Sequence, residues 1–440
     1  MKLILGFSVP LLFGYLFQQL YNLVDTMIVG QFLGVDALAA VGATGSINFL
    51  IIGFCNGVCS GFALPVAHRF GAKDYKTLRK LYANSIWLSV IFAVVMTALT
   101  VIFCRPILTL MRTPANIFEY SYQYILIIFI GIPATYLFNL TSGMIRALGN
   151  SRAPLVILVI SSFLNVILDL VFILNFNMGV AGAAAATVLS QVVSGIICVT
   201  YIRKKVEMLQ LSKDEWRMEK REMAELFNAG VPMGLQYSIT AIGSVILQSA
   251  VNTLGSDAVA SVTAASKISM FIVCPFDSMG ATMATYGGQN AGGYKLDRLH
   301  KGLGSCIILG AVYSVIGLLI IAAFGPHLLK LFVSGSETGI LADAQHFLLI
   351  NGLFYFPLAL VNIVRFMIQG MGFGFFAIIA GVLEMAARTL VGAVFVPIFG
   401  YNAACFASPL AWIFADCFLI PAYFVVWNRM KRHKEAYRQI

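Results

Sequence analysis

An all-α integral membrane protein with twelve transmembrane helices, arranged as two six-helix bundles, is the fold this sequence predicts, and three observations predict it. Hydrophobic residues make up 60% of the 440, charged residues only 11%, and the mean hydropathy is +0.88, whereas a soluble globular chain carries about a quarter charged residues. The apolar residues fall in long runs, and about 20 of them suffice to cross a bilayer. Landmarks in these runs then recur at an offset of about 222 residues, as a duplicated chain requires.

Taken in order, apolar periods bounded by turn and charge signals place helices near 4–33, 36–68, 75–104, 117–147, 152–175, 179–203, 223–254, 257–290, 294–324, 338–370, 374–398 and 402–428. The first run is too long for the apolar part of a signal peptide and lacks a small-residue cleavage site, so it is a membrane helix. Pro10 within it removes a backbone hydrogen bond and permits bending. The second helix carries Gly53, Gly57 and Gly61 at every fourth position, a spacing that lets another helix approach closely. Several helices exceed the bilayer thickness, which implies tilt or protruding ends.

Between the halves runs the one long hydrophilic stretch, residues 204–222, where Lys213-Asp214-Glu215-Trp216-Arg217 alternates charge around a tryptophan. It reads as a cytoplasmic linker containing a short interfacial helix. The expected division is therefore an N-terminal lobe 1–203, the linker 204–222 and a C-terminal lobe 223–440.

Orientation follows from the basic residues. With the N-terminus inside, 23 of the 29 Lys and Arg fall on cytoplasmic segments, Arg105, Arg112 and Lys330 lie outside, and Lys267, Arg365 and Arg388 lie within helices. Such an asymmetry places both termini in the cytoplasm.

The duplication is read from matched pieces. Val9-Pro10 recurs as Val231-Pro232, Leu33-Gly34-Val35-Asp36-Ala37 as Leu254-Gly255-Ser256-Asp257-Ala258, and Met144-Ile145 with Gly149 as Met367-Ile368 with Gly372. Six helices per half is an even number, so both halves enter from the same side and are related by a pseudo-two-fold axis along the membrane normal. Parallel repeats of this kind are a transporter architecture.

An ionised group at the bilayer centre costs about 2.5–3.5 kcal/mol even on the lenient insertion scale, so each intramembrane charge marks a candidate site. In the N-terminal half, Gln18, Asn22 and Asp25 share one face of the first helix, Asn165 and Asp169 stack on the fifth, and Thr187 is the hydroxyl in a small-residue run on the sixth. Two carboxylates, an amide, a hydroxyl and a backbone carbonyl suit Na⁺ as hard oxygen ligands and serve equally as a proton acceptor. A satisfied packing network is the plainer alternative, and two acids in lipid with no basic partner weigh against it. In the C-terminal half, Arg365, Glu384, Arg388 and Asp416 offer opposite charges and read as a structural network. Lys267 and Asp277, ten residues apart on the eighth helix, are too distant to pair; with Gln18, Tyr21, Asn22 and Gln248 they are candidates for lining a cavity. The eight cysteines lie in or beside apolar stretches with no zinc or disulfide spacing. With no hydrolase triad or nucleotide-binding loop, neither an enzyme nor a cofactor is expected.

These residues together resemble the multidrug and toxic compound extrusion (MATE) family across essentially the whole chain: Asn22-Leu23-Val24-Asp25 with Gly30, Val9-Pro10 repeated at 231, Gly288-Gln289-Asn290-Ala291-Gly292, and the duplication itself. The resemblance implies two bundles around a V-shaped cavity, and export of hydrophobic organic cations and drugs in exchange for H⁺ or Na⁺. Its DinF-like branch places the coupling cation in the N-terminal half, which maps onto Asp25, Asn165, Asp169, Thr187 and the carbonyl of Ala183. The NorM-like branch uses acids on the seventh and tenth helices, where this chain has Gln248 and the peripheral Asp343. The expected protein is a bacterial plasma-membrane monomer whose partners are small molecules and lipids, not nucleic acid. Two alternatives stand beside it: a lipid-linked glycan flippase of the same superfamily, which would need several unpaired basic residues in its cavity, and a non-transporting receptor or scaffold that docks partners on the linker.

Overall fold

A computed structural model describes residues 1–111, 113–333 and 337–438, so that Arg112 of the outer basic residues lies outside the described residues. Among these the chain is helical without strands. The first half contains α1 (Lys2–Leu33), α2 (Val35–Gly71), α3 (Tyr75–Leu110), α4 (Ala115–Ile130), α5 (Ile132–Ala147), α6 (Arg152–Leu170) and α7 (Gly179–Lys205). The second contains α8 (Lys220–Asn252), α9 (Ser256–Gly292), α10 (Leu296–Leu329), α11 (Thr338–Leu353), α12 (Tyr355–Gly370), α13 (Gly374–Leu390), α14 (Val396–Phe399) and α15 (Tyr401–Arg438). Ten helical segments are long and apolar enough to span a membrane, and two bent pairs complete the twelve.

Those pairs correct the expected fourth and tenth spans, which are not continuous. α4 meets α5 at a 46° bend and α11 meets α12 at 51°. Pro133 and Pro357 stand just beyond the two breaks. Neither has an N–H for the carbonyl one turn back, and each ring crowds that carbonyl. α6 and α13 each end in a widened turn, Val171–Asn175 and Val391–Phe395.

The backbone itself carries the duplication. Residues with positive φ pair across the halves: Gly34 with Gly255, Lys73 with Tyr294, Gly149 with Gly372, and Gly179 with Gly400. Each pair marks the same inter-helix turn, where a left-handed residue reverses or redirects the chain. Helix neighbours repeat as well: α2 packs on α3, α4 and α5 as α9 does on α10, α11 and α12, and α6 packs on α7 as α13 does on α15.

By packing, the chain forms two compact units, Phe13–Ser238 and Met1–Leu12 with Ile239–Ile440. These divisions fall inside α1 and α8, so the packing units and the sequence repeats are different partitions of the chain. Within the first unit the glycine stripe of α2 meets the start of α8. A Cβ on Gly57 would stand 2.6 Å from the Met233 carbonyl oxygen, and one on Gly61 2.5 Å from the Ala229 carbonyl oxygen and the Gly230 Cα. Gly230 and Gly234 return the fit, blocked by Phe62 and by Val58 with Phe54. Two helices thus cross backbone to backbone, the close approach that small residues permit. Gly53 has only an ordinary 3.7 Å contact with Tyr237.

The linker is not the interfacial helix expected from its sequence. It makes two single turns, Glu207–Leu209 and Lys213–Trp216, and is fastened to the start of α3. Arg79 pairs with Glu215 at 2.6 Å and Lys80 with Glu219 at 2.7 Å. The Asn84 side chain accepts from the Glu219 N–H, and Trp87 Nε1 donates to the Trp216 carbonyl at 3.0 Å. Side-chain anchoring replaces helix formation because a segment this short gains too few backbone bonds to repay nucleation.

Burial works against the Glu215 carboxylate, but hydrogen bonds from Ser212 and Arg79 outweigh it and hold the group below its ordinary value of 4.5. A depressed carboxylate stabilises the fold above that value and ceases to do so as pH falls through the folded-state value. Trp216 fluorescence and amide exchange over 206–219 should therefore report a fastened linker at neutral pH and a progressively looser one as the pH falls below 4.5, while Glu215→Ala should be loose throughout. In the helix crossing, Gly61→Leu should cost at least the usual overpacking penalty of about 1–3 kcal/mol, read as a lower Tm in detergent, whereas Gly53→Ala should change the Tm little.

Candidate functional site

Three helices of the Phe13–Ser238 unit bring together the residues expected to form a site. α1 supplies Asp25, α6 supplies Asn165 and Asp169 one turn before its widened end, and α7 supplies Ala183 and Thr187. Asp25 is 8% exposed, Asn165 1% and Asp169 0%. The small-residue run on α7 is what admits the others. Gly182 lies against Phe172 of the widened turn, where a Cβ would be 3.1 Å from Phe172 Cβ.

The hydrogen bonds inside this cluster are few. Thr187 Oγ1 donates to the Ala183 carbonyl at 3.1 Å, and Asn165 Nδ2 approaches Thr187 Oγ1 at 3.5 Å. The Asp25 and Asp169 carboxyls stand within hydrogen-bonding reach of each other. Asp25 Oδ1, Asn165 Oδ1 and both Asp169 oxygens have no protein donor, and neither acid takes part in an ion pair among the described residues. Two carboxylates are acceptors only, so their contact needs a shared proton or an intervening cation. Chemically this is a buried cluster of acceptor oxygens. The set fits a proton or Na⁺, since all its ligating atoms are hard oxygens.

Sequence reasoning missed Tyr124 of α4, which is buried and lies within electrostatic range of Asp25, Asp169 and Tyr21. Tyrosines alternate at 120, 122 and 124, and only the packing of α4 selects the last. Of the remaining candidates, Gln18 and Asn22 are exposed and Tyr21 half-buried on α1. Gln248 donates to Asn252 one turn on, at 2.9 Å.

The second half assembles a different kind of cluster. Arg365 of α12 pairs with Glu384 of α13, and Arg388 lies 3.5 Å from the same carboxylate. All three are buried, as is Asp416 of α15, which lies within electrostatic range of Arg365. The two arginines are committed to Glu384, leaving them poorly placed to hold an anionic cargo. Lys267 and Asp277 of α9 stand apart from this network.

Set beside known proteins, the chain matches the sequence pattern of the MatE family over residues 10–171 and 232–398, two stretches that begin at the repeated prolines. It therefore belongs to the MatE family, whose members are membrane transporters and not enzymes. It is 30% identical over 339 residues to "Probable multidrug resistance protein YoeA" of Bacillus subtilis (strain 168), covering 76% of this chain and 73% of that one. To "Probable multidrug resistance protein YpnP" of the same organism it is 28% identical over 372 residues, 83% and 81% of the two chains. The fold matches a solved outward-facing multidrug resistance MATE family transporter of the MOP superfamily with a TM-score of 0.90 at 23% identity, over 98% of this chain and 96% of that one.

A buried acceptor with no donor costs about 1–3 kcal/mol, and more when charged. Asp169→Asn supplies N–H donors to this cluster and removes a negative charge without changing shape. The purified variant should accordingly melt above the parent in Na⁺-free detergent buffer at neutral pH, measured by thermal unfolding.

Proposed function

We propose that the chain is a secondary active multidrug exporter that moves hydrophobic organic cations out of the cell in exchange for H⁺ or Na⁺. The coupling cation is held by Asp25, Asn165, Asp169, Thr187 and the Ala183 carbonyl. One observation carries the reading: a buried group of acceptor oxygens, including two acids in contact, has neither a donor nor a basic partner. The relatives' names, multidrug resistance proteins, support drugs as the cargo, and the charge distribution along the sequence supports both termini lying on the cytoplasmic side of the plasma membrane.

Binding of a proton or Na⁺ removes one negative charge from the cluster. Without it, the two acids repel and favour another arrangement of α1 against α6 and α7. A ligand shifts such an equilibrium only by its differential affinity for the two arrangements. The site has that differential, because its oxygens are complementary to a cation only while α1 keeps Asp25 against Asp169. One elementary charge crossing 100 mV supplies about 2.3 kcal/mol, so tight exchange depends on the site being filled in one arrangement and emptied in the other.

Inverted vesicles carrying the protein should accumulate ethidium when a pH gradient or a Na⁺ gradient is imposed, and testing each alone identifies the ion. Asp169→Asn should lower gradient-driven transport at least tenfold with unchanged membrane insertion. Coupled transport at the parental rate by that variant would falsify the proposed role of the cluster.

A further inference from the structure

The helices show two kinds of uncovered surface. From Val90 to Phe103, α3 exposes Val90, Ile91, Val94, Val95, Leu99 and Ile102 among other apolar side chains, and α10 is likewise apolar from Ile308 to Phe324. These are lipid-facing surfaces. α9 differs: between Ala258 and Gly292 its exposed residues are Thr263, Ser266, Lys267, Met270 and Asp277, with no exposed aliphatic or aromatic residue. Half of its apolar window is buried, against 22% for α3 and α10.

α9 has 37 residues, about 55 Å at the usual rise per residue, while the hydrocarbon layer is about 30 Å thick. Lys267 and Asp277 lie about 17 and 32 Å from its outer end, and so at hydrocarbon depth. Neither forms an ion pair among the described residues. Both charges exposed to lipid would be costly, and Thr263 and Ser266 place hydroxyls beside Lys267, so this face suits water rather than hydrocarbon. The equivalent face of α2 is exposed at the same positions, Gly42, Gly45, Ser46 and Phe49. There Ser46 and Asn56 occupy the places of Lys267 and Asp277, so opposite charges on this surface belong to α9 alone.

We infer that the wetted face of α9 is a substrate-selecting surface for elongated zwitterions, with Asp277 receiving the cationic end and Lys267 the anionic end. The inference rests on the export reading and narrows its cargo class. Ten residues separate the two Cα atoms by about 15 Å along the axis, and the flexible lysine stem lets the distance between the charges adjust to the ligand. An aromatic zwitterion with its charges about 10 Å apart fits that interval. A simple cation meets only Asp277 and faces like charge at Lys267. Thr263 and Ser266 supply hydroxyls beside Lys267, and Met270 offers an adaptable apolar contact between the charges.

Rhodamine B, a zwitterion, and its ethyl ester, a permanent cation on the same ring system, isolate the anionic group. Transport in inverted vesicles and equilibrium binding in detergent are measured for both dyes. The parent should favour rhodamine B over the ester. Lys267→Gln should weaken rhodamine B three- to tenfold in KM and Kd while leaving the ester unchanged or improved, and Lys267→Arg should restore the parental preference. Asp277→Asn should weaken both dyes. Equal effects of Lys267→Gln on both dyes, or none on either, overturn the inference. If binding shows the expected selectivity but no gradient drives either dye, the export reading fails and the selecting surface stands; a misfolded Lys267→Gln is recognised by its failure to bind the ester, and Lys267→Met then decides on the same readout.

Discussion

Within hydrocarbon no water is available to backbone N–H and C=O groups, so each segment must close its own hydrogen bonds. That constraint accounts for a chain in which the described residues are almost all helical, and it makes every interruption informative. The interruptions come in pairs across the halves: bends before Pro133 and Pro357, and widened turns after α6 and α13. Such breaks free backbone groups at membrane depth, where neighbouring helices must shelter them. Their recurrence at matched places shows that both halves retain one inherited backbone design, and the matched positive-φ residues at the turns extend the correspondence to the helix ends.

On this shared scaffold the buried polar residues follow two different electrostatic solutions. Around Glu384 the charges neutralise internally, Arg365 and Arg388 converging on one carboxylate. A paired cluster of this sort is expensive to break and has no need of a ligand. Around Asp169 no protein donor reaches the carboxylate oxygens. The difference is one of donors, since both clusters are buried and both sit on the helix that ends in a widened turn. It separates a network of paired charges from one whose carboxylates have no basic partner among the described residues.

Close packing sets which surfaces remain available for chemistry. Where α2 crosses α8, glycines on both helices bring backbone against backbone, leaving no room for side chains between them. The outer faces of α3 and α10 are left to lipid, as their unbroken aliphatic surface requires. What remains uncovered on α9 between Ala258 and Gly292 is polar apart from Met270, and its two charges have no counterpart on α2. Divergence between the halves is therefore concentrated in side chains rather than backbone.

Much of this was legible in the sequence, because the signals are local or periodic. Apolar runs gave the number of spans, and the 222-residue offset the duplication. Asp25, Asn165, Asp169 and Thr187 could be singled out because isolated polar residues in apolar helices are conspicuous. Tertiary structure alone decided the rest. It selected Tyr124 from three nearby tyrosines, assigned both arginines of the second half to Glu384, broke two apolar runs into bent pairs, and fastened the linker to α3 in place of a helix. Each of these depends on which residues from distant helices come within a few ångströms of one another. Hydropathy and helical period specify the face on which a residue lies; whether a donor on another helix meets it is settled only when the helices pack.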